Sequence, residues 1–199
     1  MEQLQSTSGN LWIGIEVPSS YDGKPLVYHR LQEKLKEVIP GYKEDDKLHI
    51  TLFFFGVAQE EKIKKIDKTI TKSLLASKIY GNSITHITFD NKLTLFGTAL
   101  ALKIQENNKL NDLRQLLADK LKEAGIPFAE QHSFNPHVTL GRSTEITQGV
   151  VERLNIDINP NKNETNQFDI NNFYLYETQG LEYTIRAMYS LKPPVYYLD

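Results

Sequence analysis

His49-Ile50-Thr51-Leu52 and, 88 residues later, His137-Val138-Thr139-Leu140 are the two stretches whose reading decides the fold of this 199-residue chain. Each sits in a run that reads as a β-strand, over 48–55 and 137–142, and in a strand residues two apart face the same side. Histidine and threonine therefore point the same way in both copies. Ile50, Leu52 and Phe54 in one copy, and Val138 and Leu140 in the other, take the opposite side and are expected to enter a core. Phe53 and Phe55 share the parity of His49 and are expected on its side. Five histidines and fourteen threonines in random order would give fewer than one His-x-Thr triplet, and the sequence holds three. The third, His86-Ile87-Thr88, shows that strand-forming runs of this composition also produce the triplet idly.

Outward from the motifs, the flanking elements repeat. Leu11, Ile13, Ile15 and Val17 alternate along a first strand that Pro18 ends, and Val27, Leu31, Leu35 and Val38 recur at helical spacing until Pro40 and Gly41. The first motif strand follows. In the second half Leu100, Leu102 and Ile104 alternate over 98–104. Asn107 or Asn108 caps a helix bearing Leu110, Leu113, Leu117 and Leu121, Gly125 closes it, and the second motif strand follows a loop. Leu11 maps near Thr98 at an offset of 87 and His49 onto His137 at 88. A nearly constant offset across three elements is the mark of an internal repeat. No such strand and helix precede His86, which is read as a core or sheet-surface histidine. Residues 1–199 are thus expected to form one bilobal α/β domain, each lobe lending one motif strand to a shared cleft.

Between and after the repeats, Glu60 and Glu61 open a helix with Ile63, Ile66, Ile70 and Leu74 as its buried stripe, its lysines forming a solvated face. Residues 84–96 read as strand and 147–154 as a short helix. Strands over 168–177 and 183–191 form a hairpin around Gln179-Gly180. His29 lies off the stripe of the first helix, and His132 falls in a polar loop. Tyr183 and Phe134 are candidate walls of the groove, with ordinary packing the preferred reading.

Composition narrows the partners. A formal charge of −2 and a pI of about 6.2 supply no basic field for non-specific nucleic-acid binding, so an RNA or nucleotide must be held locally. Cysteine is absent, which excludes disulfides, thiolate metal sites and a cysteine nucleophile. The first ten residues lack an apolar signal core, and no stretch approaches the ~18 apolar residues of a membrane span. The expected protein is a cytoplasmic monomer.

Two histidines and two hydroxyls are a kit for phosphate chemistry. Imidazole titrates close to neutrality, so one ring can accept a proton while the other donates. In-line attack at phosphorus uses that division, a base activating the incoming oxygen and an acid protonating the leaving one. Threonine hydroxyls can donate to the non-bridging oxygens as charge builds there. No His-x-His or His-Glu-x-x-His ligand spacing occurs, and neither metal nor cofactor is expected.

Tandem His-x-Thr-Leu strands on a duplicated chain of this length resemble the two-histidine phosphoesterase superfamily. The run Phe134-Asn135-Pro136-His137-Val138-Thr139-Leu140-Gly141-Arg142 is similar to the second motif of its LigT-like branch, the RNA 2′,3′-cyclic phosphodiesterases first described as 2′-5′ RNA ligases. Small residues such as Ala are common in that family where Gly141 stands. The resemblance implies a bilobal fold with antiparallel sheets facing a groove, and hydrolysis of cyclic phosphate at an RNA end to a 2′-phosphate. It also implies His49 as general acid, His137 as general base for water, and Thr51 and Thr139 as phosphate ligands. Arg142 is implied as a further phosphate contact, although strict alternation puts it opposite His137 unless the strand ends or bulges at Gly141. Two other readings stay open. One is a phosphodiesterase acting on 2′-5′ oligoadenylate or a cyclic signalling nucleotide. The other is an RNA-end binding module without turnover.

Overall fold

Among the described residues, 9–76, 84–129, 134–153, 157–180 and 182–192, the computed structural model of the chain forms fifteen elements in sequence order. These are β1 (Asn10–Glu16), β2 (Ser20–Tyr21), β3 (Lys24–Pro25), α1 (Tyr28–Val38), β4 (Lys43–Glu44), β5 (His49–Val57), α2 (Glu60–Ala76) and β6 (Ile84–Phe96). They continue with β7 (Ala99–Ile104), α3 (Asn108–Glu123), β8 (His137–Arg142), α4 (Gln148–Arg153), β9 (Gln167–Ile170), β10 (Asn172–Gln179) and β11 (Glu182–Ser190). The main sheet runs β11-β10-β1-β5-β8-β7-β6-β9, with β4 paired to the end of β8 and every neighbour antiparallel. From its centre outward the order is the same in both directions: a motif strand, the strand that precedes it by one helix, then two outer strands. The implied sheets of the two lobes are joined at β5 and β8, through the pair Ile50↔Val138.

The core lies where the apolar parity puts it. Leu11, Ile13 and Ile15 of β1, Ile50 and Leu52 of β5, Leu100 and Leu102 of β7 and Val138 and Leu140 of β8 are all almost fully buried. They pack with Ile66 and Ile70 of α2 and Leu113, Leu117 and Leu121 of α3 in one cluster. Full burial of each such side chain contributes roughly 1.5–3 kcal/mol, so a one-residue register slip, which would turn a strand's apolar set to water, is prohibitive. Asn107 caps α3, its side-chain oxygen accepting from the Leu110 N–H at 3.0 Å, and Gly125 leaves the helix at φ +63°. The α1 stripe differs from expectation at its end. Val38 is 40% exposed in the last turn, while Gln32 is buried and donates to the carbonyls of Asp45 and Leu140 at 3.0 and 2.8 Å.

Two further expectations are corrected. The strand over 168–177 is two strands, because the chain leaves β6 after β9 and crosses to β1 as β10. The hairpin of β10 with β11 stands as expected. The aromatic residues after the first motif are inverted, with Phe53 and Phe55 buried and Phe54 43% exposed. A β-bulge is the cause. Along β1, Gly14 pairs with Thr51 and Ile13 with Phe53, leaving Leu52 as the extra residue, so Leu52 and Phe53 both turn inward and the parity reverses beyond them. A second bulge follows before Gly56, which takes φ +73°.

The second motif strand repeats the device. Leu100 pairs with Gly141 and Ala101 with Thr139, so Leu140 is the extra residue and Arg142 returns to the side of His137. The fourth residue of each motif is thus the bulged one. His29 is exposed as expected, and the reading of His132 lies outside the described residues. No described helix is long and apolar enough to cross a membrane.

Candidate functional site

The pairing of Ile50 with Val138 carries the residues on either side of each onto one face. His49 and Thr51 on β5, and His137 and Thr139 on β8, stand there as four corners with the two histidines on a diagonal. Diagonal neighbours across antiparallel strands lie about 7–8 Å apart, a span that one phosphate between two rings can fill. His49, Thr51, His137, Thr139 and Arg142 all line one cavity of about 300 Å³. Phe54, which the first bulge turns outward as the second turns Arg142, lines it too, with Asn10, Trp12, Asp45, Thr178 and Tyr183.

Each imidazole is fixed in the same way. The Nδ1 of His49 lies 2.7 Å from the Lys47 carbonyl oxygen, and that of His137 lies 2.9 Å from the Asn135 carbonyl oxygen. A carbonyl can only accept, so Nδ1 carries the proton in both rings and Nε2 is the nitrogen left for a ligand. An aromatic ring backs each one. Trp12 lies 4.3 Å from His49 between ring centroids, and Phe96 stacks on His137 at 4.4 Å. Trp12 is itself held by stacking on Tyr176 at 4.3 Å and by donating its indole N–H to the Thr178 hydroxyl at 2.6 Å. Gly14, two residues along β1, makes room for the indole, since a Cβ there would collide with the ring.

Electrostatics distinguish His49. Burial holds its pKa below the usual imidazole value. The Lys47 carbonyl and the Asp45 carboxylate oppose that effect, and His137 and Arg142 add to it. Among the described residues no cluster of three or more histidine, aspartate or glutamate side chains is placed to hold a metal ion.

His86 stands elsewhere. It is exposed on β6 at a bulge against β9, with φ +57° and its N–H donating to Asp169 at 2.8 Å. Phe134 packs under the Arg114 guanidinium, 4.7 Å from ring centroid to carbon, and is not among the cavity's lining residues. Six lining residues were not among the predicted site residues, Asn10 and Thr178 at the strand ends and Phe54 read as core among them. Trp12 carried a signal, being the large ring on the strand face opposite Leu11 and Ile13, with Gly14 and Glu16 beside it. Tyr183 lines the groove where packing is the preferred reading, and Asp45 in its charged turn carries no signal.

The model of the family described as the 2′-5′ RNA ligase superfamily matches residues 25–182. A stretch of 99 residues is 33% identical to an RNA 2′,3′-cyclic phosphodiesterase of Bacillus subtilis, covering 47% of this chain and 50% of that protein. Another of 98 residues is 26% identical to a protein of the same description from Thermotoga maritima, covering 49% of this chain and 51% of that one. The matched part of the chain thus spans about half the length of these relatives. The fold is similar to the crystal structure of E. coli LigT complexed with 3′-AMP, at a TM-score of 0.66 and 20% identity over 92% of this chain and 98% of that one.

Proposed function

The chain belongs to the 2′-5′ RNA ligase superfamily, and on that premise we propose that it is a metal-independent phosphodiesterase that opens 2′,3′-cyclic phosphate at an RNA end to a 2′-phosphate. The observation that supports this most is the gathering of His49, Thr51, His137, Thr139 and Arg142 in one cavity, with Nδ1 of each imidazole held by a backbone carbonyl. In this reading His137 Nε2 takes a proton from water, whose oxygen attacks phosphorus. The bond from phosphorus to the 3′-oxygen breaks on the opposite side, and His49 Nε2–H protonates that leaving oxygen. Hydroxyl donors from Thr51 and Thr139 and the fork of Arg142 hold the non-bridging oxygens, where charge accumulates.

The test is turnover of 2′,3′-cyclic-ended RNA, 2′-5′ oligoadenylate and cyclic dinucleotides by purified protein in EDTA. Cleavage of the cyclic-ended RNA alone, leaving a 2′-phosphate, is the expected result. Preference for either of the others reassigns the substrate. Binding without turnover makes the protein an RNA-end binding module, and turnover abolished by EDTA and restored by a divalent ion overturns the metal-free chemistry.

A further inference from the structure

A second cavity of about 370 Å³ adjoins the first and shares Trp12, His49 and Tyr183 with it. The two open on either side of the His49 imidazole, so a phosphate held between the histidines leaves the second cavity to whatever is attached beyond it. Aromatic and apolar side chains, Pro18, Tyr28, Tyr176, Tyr183 and Ile185, line it together with the Lys47 ammonium, which stands 5.1 Å from the Tyr183 ring centroid. Ile185 lies across from Tyr176 in the β10–β11 pair and is 54% exposed, an apolar side chain spent on this recess rather than on the core. At its edge stand the carboxylates of Glu16 and Asp46. Glu16 is opposite His49 in the β1–β5 register, and its charge adds to the burial that pushes the Tyr176 hydroxyl above its usual pKa. On the neighbouring surface Asp45 stands beside Asp46, while Glu33 and Glu44 are paired to Lys36.

Flat aromatic walls suit a nucleobase stacked on them. Carboxylates only accept hydrogen bonds, so they select a base that offers N–H donors. We propose that this recess is a second nucleoside subsite, so that the substrate is an oligonucleotide rather than a mononucleotide, and that Glu16 favours a base with an exocyclic amine there. The proposal rests on the phosphodiesterase reading above and names the substrate class of that site.

The experiment compares kcat/KM for a mononucleoside 2′,3′-cyclic phosphate with that for dinucleotides ending in the same group, with cytosine or uracil as the penultimate base. That exchange replaces an amine donor by a carbonyl acceptor. The dinucleotide should lead by roughly ten- to a hundredfold, the value of one held base, and cytosine should lead uracil by about tenfold. Ile185→Tyr, which fills the recess from an exposed position, should collapse the first ratio, and Glu16→Gln the second. Equal rates for mononucleotide and dinucleotide, or ratios that survive these substitutions, overturn the subsite and leave the activity standing. If nothing is turned over, binding decides. Trp12 is the one tryptophan of the chain, and its fluorescence reports titration with a 3′-phosphorylated dinucleotide against a 3′-mononucleotide. Tighter dinucleotide binding keeps the subsite while the activity reading fails, and equal binding removes the subsite.

Discussion

Ile50 lies directly across from Val138 where the two halves of the sheet meet, both side chains fully buried, and this rung sets the histidines of the two motifs diagonally on one face. In the proposed reaction this placement lets an acid and a base, one from each half of the chain, act on a single phosphorus.

His49→Ala and His137→Ala are each expected to lower kcat/KM by about 10²–10⁴-fold, the usual contribution of one general acid or base. His86→Ala, on an exposed bulge of β6, should leave it unchanged. Comparable damage at His86, measured on the same cyclic-ended RNA, would remove the assignment of the pair.

Burial of His49 gives a pH dependence with a definite sign. Its folded pKa lies below the value of about 6.5 that it takes when unfolded. The unfolded chain therefore binds the proton first as pH falls, and stability present above pH ~6.5 declines toward the folded pKa. Urea midpoints between pH 7.5 and 5 should show a slope that His49→Gln reduces. As the general acid, His49 should also place the high-pH limb of kcat/KM below pH ~6.5. A bound phosphate anion favours the imidazolium, so the limb of kcat should lie higher. A limb that disappears in His49→Gln but rises with pH would make His49 the base instead.

Gln32 holds the bulge at Leu140. Its amide donates to the Leu140 carbonyl, which also accepts from the Asp45 N–H at 2.9 Å. Gln32→Leu withdraws a buried donor, which should cost about 1–3 kcal/mol in chemical denaturation. Because that bulge turns Arg142 into the cavity, KM should rise as well. Lost stability with KM unchanged would mean that the pairing of β4 with β8 suffices to hold Arg142.

Tyr42 and Gly141 form a tight crossing. A Cβ on Gly141 would stand 2.5 Å from both the Lys43 carbonyl oxygen and Tyr42 Cζ, so Gly141→Ala should cost about 1–3 kcal/mol by overpacking. The Tyr42 hydroxyl is buried without a hydrogen-bond partner, so Tyr42→Phe should leave the melting temperature equal or higher. A clear fall would reveal a partner for that hydroxyl. The alanine common in the resembling family at this position therefore does not fit beside Tyr42 here.

Much of this was legible before any coordinates. The parity of Leu11, Ile13 and Ile15, the helical stripes from Ile63 and Leu110, and the spacing of His49 from His137 are short-range or repetitive signals, and each led to its element. What escaped was set by pairing between strands. Nothing in Leu52-Phe53-Phe54 announces that β1 skips Leu52, so Phe54 was assigned to the core and Phe53 to the cleft. The same ambiguity left Arg142 on either face until the partner strand was known. Trp12 and Asp45 join the cavity through contacts made across 37 and 95 residues, to His49 and to Leu140 of the second motif strand, distances that no local pattern spans.

Anyone transplanting the pair of motifs onto another scaffold inherits a requirement from the bulged leucines. Perfectly regular strands would present the two imidazoles and two hydroxyls, yet leave the guanidinium and the Phe54 ring facing the wrong way. The portable unit is six residues with a fault at the fourth, together with a buried amide like that of Gln32 to keep the fault in place.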